Sequence, residues 1–101
     1  MIKSSNIYEQ TQNAYVVQRF YLAINTLKQL GAIKSIKNFT EIYNINRGNF
    51  ITVSKNPTSK MFNVCWLSYI VRDYGVSSEW LLTGNGEMLK DAYLEKILKE
   101  K

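Results

Sequence analysis

The sequence predicts an all-α fold: a compact bundle of five helices that contains a helix-turn-helix, with a C-terminal amphipathic helix after it. Three observations predict it. Apolar residues recur at three- and four-residue spacing along most of the chain, the period of helices that bury one stripe. Ser35, Asn46 and Ser77 stand just before such stretches, where a side-chain oxygen can accept from the backbone amides left free at a helix start. Gly31 and Gly75 stand just after two of them, where a left-handed residue closes a helix.

Length and composition narrow the possibilities. At 101 residues the chain suits one domain with short tails. Apolar residues make up 46% and charged residues 21%, the balance of a globular chain. No apolar run approaches the ~18 residues of a membrane span. The opening MIKSSNIYEQTQNAY lacks the charged-then-apolar order of a signal peptide, so a cytoplasmic protein is expected. Cys65 lies among Val64, Trp66 and Leu67, with no second cysteine or histidine to share a metal. It is expected to be a buried structural thiol. The net charge of +5 is unevenly placed, with seven basic residues from Arg19 to Lys60 against one acid, Glu41. From Gly75 onward five acids face four lysines. A basic middle and a balanced end suit a polyanionic partner for the middle.

Residues 1–13 are polar and are expected to form a flexible arm. From Ala14 to Leu30 a scaffold helix is predicted, with Val16, Phe20, Ala23, Ile24, Leu27 and Leu30 inward and Gln18, Arg19, Asn25 and Lys28 outward. Ser35 caps a second helix from Ile36 to about Tyr43, with Ile36, Phe39, Thr40 and Tyr43 on one face. Asn44 makes the turn, since Asn tolerates the left-handed region better than most residues, and Ile45 anchors it. Asn46 caps the third helix, Arg47 to Lys55, with Phe50 and Val53 inward. Asn56-Pro57 stops it, because a residue before proline avoids the helical region.

A fourth helix is predicted from Met61 to Tyr74, with Val64, Leu67, Ile70, Val71 and Tyr74 buried. Ser77 caps a short fifth helix, Ser78 to Leu82, whose Trp80, Leu81 and Leu82 are expected to plug the core. Trp66 and Trp80 are read as core residues. Gly84-Asn85-Gly86 is a turn. Residues 14–88 thus form the domain. Residues 89–101 form an amphipathic tail, with Tyr93, Leu94, Ile97 and Leu98 apolar, free to fold back or to pair with a second chain.

The third helix carries the candidate site. Its outward face offers Arg47, Gly48, Asn49, Ile51, Thr52 and Lys55. Arg can bond guanine bidentately, Asn can do so with adenine, and a Thr or Ile methyl can pack on a thymine methyl. Glycine at 48 lets the backbone approach closely. Lys37, Lys55, Ser59 and Lys60 are candidate phosphate contacts, which fix register without reading sequence.

Ser35 to Asn56, taken with Val76-Ser77-Ser78-Glu79-Trp80-Leu81-Leu82-Thr83-Gly84-Asn85-Gly86-Glu87-Met88, resembles the repressor-like helix-turn-helix proteins of bacteria and their phages. That group includes the lambdoid repressors and Cro. The resemblance covers about Tyr15 to Met88, and WLLTGNGEM is especially similar to members found in Bacteroidetes genomes and mobile elements. It implies a lambda-repressor-like five-helix bundle that binds an inverted-repeat operator as a homodimer. Lys37, Phe39, Glu41, Ile45, Arg47 and Phe50 sit at matching places. Ile36 stands where the family usually has a phosphate-bonding glutamine, Thr40 replaces a small residue between the two helices, and Asn44 replaces the turn glycine.

The resulting expectation is a sequence-specific double-stranded DNA-binding protein, a transcriptional repressor of phage or mobile-element type, associated with the nucleoid when bound. The alternative is a protein-interaction module, such as an anti-repressor or antitoxin-like partner, that keeps the bundle without binding DNA. No enzyme is expected. There is no histidine, the aspartates Asp73 and Asp91 are isolated, and no carboxylate pair has a spacing suited to acid–base work. Gly84-Asn85-Gly86 lacks the lysine and hydroxyl residue of a phosphate loop. Neither a cofactor nor a metal is implied.

Overall fold

Phe20 is fully buried at the centre of a cluster of aromatic rings. Its ring centroid lies 5.1 Å from Tyr21, 5.9 Å from Phe50, 5.6 Å from Phe62 and 6.2 Å from Trp66. The computed structural model describes residues 2–99, which form six helices: α1 (Ile2–Gln29), α2 (Ile36–Ile42), α3 (Arg47–Lys55), α4 (Cys65–Tyr74), α5 (Ser78–Thr83) and α6 (Asp91–Lys99). The all-α bundle predicted from the sequence is the fold. No helix among the described residues is long and apolar enough to cross a membrane.

α1 is the spine, and both α3 and α5 pack on it. Val17, Phe20, Ala23, Ile24 and Leu27 are buried, with Val16 and Leu30 half-buried beside them. Residues 2–13, expected as a flexible arm, are instead helical and continuous with α1. Glu9 to Asn13 are exposed, so burial does not hold them there. No glycine or proline interrupts the stretch, and extending a helix already nucleated by its packed part fixes only one residue per added hydrogen bond. Gly31, at a φ of 83°, ends the helix.

α4 starts later than the sequence suggests. Residues 61–64 are turn and coil, with side-chain acceptors engaging an amide at each end of the stretch in place of helical carbonyls. Ser59 Oγ accepts from the Met61 amide at 3.2 Å, and Asn63 Oδ1 accepts from the Cys65 amide at 2.9 Å. This places Val64 at 69% exposure and leaves Cys65 exposed, correcting the expectation that both are buried. Trp66, Leu67 and Ile70 form the buried stripe, with Val71 and Tyr74 half-buried.

In α5 only Leu81 is fully inside. Trp80 is half-buried and Leu82 is 58% exposed, so Leu82 is not the core plug it was expected to be. Three successive helical residues span most of a turn and cannot share one face. Arg19, read as a solvent-facing residue, is half-buried and closes this helix instead. Its guanidinium donates from Nε to the Leu81 carbonyl at 2.7 Å and from Nη2 to the Leu82 carbonyl at 3.1 Å.

Residues 89–99 pack on the bundle, and residues 100 and 101 of the expected tail lie outside the described residues. Val76 and Leu89 form an antiparallel bridge, in which the Ser77 amide donates to the Met88 carbonyl at 2.8 Å and the Lys90 amide to the Gly75 carbonyl at 3.2 Å. Leu89 and Ile97 are buried. Tyr93 donates its hydroxyl to the Asp73 carbonyl at 3.1 Å. α6 therefore folds back on the domain, with Leu98 left exposed.

Candidate nucleic-acid interface

The helix-turn-helix is built by three local devices, all legible in the chain. Ser35 is extended, and its Oγ accepts from the Asn38 amide at 3.0 Å, opening α2. Asn44 takes a φ of 54° in the turn, a conformation that asparagine adopts more readily than most residues. The Ile45 amide donates to the Thr40 carbonyl at 2.8 Å across that turn. Asn46 Oδ1 accepts from the Asn49 amide at 2.9 Å, opening α3 at Arg47.

Thr40 is 2% exposed between the helices. Its hydroxyl lies 2.9 Å from the Ile36 carbonyl and 3.0 Å from that of Lys37. The polar atom is satisfied within α2, so its burial carries little penalty. Ile36 is half-buried against the core.

α3 is fixed from beneath. Phe50 and Val53 are buried. Phe50 meets Trp66 at 5.3 Å and Phe39 at 5.8 Å between centroids. Burying two such side chains stabilises the placement by roughly 1.5–3 kcal/mol each. A further tie was invisible in the sequence. Tyr21 of α1 donates its hydroxyl to the Phe50 carbonyl at 2.6 Å, while its ring packs 5.1 Å from that of Phe50. Burial raises the Tyr21 hydroxyl well above the ordinary phenol pKa. The two residues are 29 positions apart, so neither periodicity nor spacing points from one to the other.

The opposite face of α3 is open. Arg47, Gly48, Asn49, Ile51, Thr52 and Lys55 are all exposed, as are Lys37 on α2 and Lys60 in the loop after α3. Ser59 is half-buried, with its oxygen already accepting from the Met61 amide. Ser54 turns its hydroxyl back to the Ile51 carbonyl at 2.5 Å. Among the described residues the ion pair is Arg72 with Asp73 on α4, so the cations of α2, α3 and the following loop have no acidic partner there.

A second polar cluster lies at the junction of α2 and α4. Tyr43 and Tyr69 stack at 4.4 Å with an interplanar angle of 10°. Tyr43 donates to Asp73 Oδ2 at 2.6 Å, and Arg72 bonds both Asp73 oxygens at 2.8 and 2.9 Å. Hydrogen bonds from Arg72 and Tyr43 hold the Asp73 carboxyl down at about 2, below its ordinary value. Burial, then the bond to Asp73, raises the Tyr43 hydroxyl. The cluster locks the end of α2 to α4 and so orients the turn into α3. No family model, curated protein or solved structure matches the chain.

Proposed function

We propose that the protein binds double-stranded DNA sequence-specifically, as a transcriptional repressor of phage or mobile-element type. The observation that carries this reading is the two-sidedness of α3. Its inner face is immobilised by Phe50, Val53 and the Tyr21 hydrogen bond, and its outer face presents Arg47, Gly48, Asn49, Ile51, Thr52 and Lys55 to solvent without acidic partners. A rigid, short, basic helix with base-reading side chains suits the major groove, which admits one helix. Arg47, Gly48, Asn49, Ile51 and Thr52 are assigned to bases, and Lys37, Lys55, Ser59 and Lys60 to phosphates.

The proposal includes a homodimer on an inverted repeat, whose half-sites would lie about 34 Å apart. Selection from a random duplex library tests it: an enriched inverted repeat supports both parts, and no enrichment sinks the specific-repressor reading. Affinity that falls steeply with salt would mark phosphate neutralisation.

The rival reading, a protein-interaction module, has one feature in its favour. An open groove of about 530 Å³ is lined by Val16, Val17, Phe62, Val64, Leu67 and Leu82 on its apolar side and by Gln10, Asn13 and residues 57–60 on the other, and the apolar side suits a protein partner. Failure to bind any duplex at low salt, with Arg47→Ala unchanged in behaviour, would favour that reading.

A further inference from the structure

The outward strip of α3 carries one exposed aliphatic side chain, Ile51, beside glycine and polar residues. Taking 100° per residue, Gly48, Ile51, Thr52 and Lys55 point most directly away from buried Phe50 and Val53, with Arg47 and Asn49 on the flanks. Ile51 is 41% exposed. It sits between a residue with no side chain, Gly48, and one with both a methyl and a hydroxyl, Thr52. The Ser54 hydroxyl, on the flank of the helix, is bonded back to the Ile51 carbonyl, which leaves the Thr52 hydroxyl as the polar group beside Ile51. A Cβ placed at position 48 would meet only Asn46 Oδ1, at 3.2 Å, so the surface beside Ile51 is low at this point.

An apolar side chain at the centre of a major-groove surface has one complementary feature among the four bases, the C5 methyl of thymine. We infer that the middle of α3 reads a thymine methyl through Ile51, supported by the methyl of Thr52. Hydrogen-bonding specificity is then left to Arg47, Asn49 and the Thr52 hydroxyl. The inference rests on the DNA-binding reading and names what that site recognises.

Uracil in place of thymine removes the methyl and leaves every base-pairing and groove hydrogen-bonding group unchanged. The probe is the set of duplexes recovered by the 101-residue protein from a random library, resynthesised with thymine or with uracil throughout. Wild-type protein is expected to bind the uracil form about four-fold more weakly for each methyl buried, or about fifteen-fold for a site with two half-sites. Ile51→Ala is expected to bind the thymine form more weakly and to lose the thymine–uracil difference, and Ile51→Val to keep most of it. Because position 51 is exposed and alanine favours helix, helical content measured alongside separates lost contact from lost fold.

A wild-type protein that binds thymine and uracil duplexes equally overturns the inference and leaves DNA binding standing. So does a difference that persists undiminished in Ile51→Ala, since uracil would then be acting through duplex shape. No duplex binding at all at low salt removes the DNA-binding reading itself.

Discussion

Tyr21→Phe removes one atom and with it the bond that ties α1 to the backbone of α3. The ring stays: its contacts at 5.1 Å with both Phe20 and Phe50 need no hydroxyl. The lost interaction is one half-buried hydrogen bond of 2.6 Å, worth about 1 kcal/mol net. Phe50 lies inside α3, so its carbonyl can still accept within the helix, and the loss should not exceed that figure greatly. For a domain of this size a change of about 1 kcal/mol lowers Tm by roughly 4–8 °C. Thermal and urea unfolding followed by circular dichroism at pH 7 measure it.

The same variant has a second signature. Burial raises the folded-state pKa of Tyr21 above the ordinary 10.0, so above pH 10 the unfolded chain releases a proton that the folded one retains. Stability contributed by this group is full below pH 10 and falls as pH rises beyond it. Tyr21→Phe should therefore flatten the alkaline limb of the stability curve while lowering its plateau. A variant as stable as wild type at pH 7, with an unchanged alkaline limb, would refute the role given to this bond.

Other outcomes follow from the same geometry. Arg47→Ala should weaken binding to a selected duplex by about 1–3 kcal/mol and relax preference at one base position, whereas Lys55→Ala or Lys60→Ala should weaken all duplexes alike and reduce the salt slope by about one, measured by anisotropy titrations. Asn46→Ala removes the acceptor for the Asn49 amide and should cost about 1 kcal/mol in urea unfolding. Gly75→Ala should destabilise by at least ~1 kcal/mol by the same measurement, since φ is 69° and the added carbon would overlap Tyr93. In acid, Asp73 contributes stability above its ordinary pKa of 3.8 that is lost as pH falls through about 2. Asp73→Asn should blunt that loss in an acid-unfolding curve.

What the sequence determined by itself is whatever depends on neighbours within a few residues. The caps Ser35, Asn46 and Ser77, the left-handed Asn44 and Gly75, the stop at Asn56-Pro57 and the inward pair Phe50 and Val53 are all local consequences of backbone amides and helical period. They define α2, α3 and the outward face of the candidate site. Tertiary structure decided the rest. The Arg19 guanidinium closes α5 across 62 residues, and the Tyr21 hydroxyl holds α3 across 29. The polar stretch before residue 14 became helix because a packed helix beyond it could propagate. Val64, Cys65 and Leu82 were misread for a related reason. An apolar residue is buried only where a partner surface meets it, and a one-residue change in helix phase or start turns it by about 100°. Periodicity says that a stripe exists; which residues at its margins go inside depends on where the neighbouring elements stop.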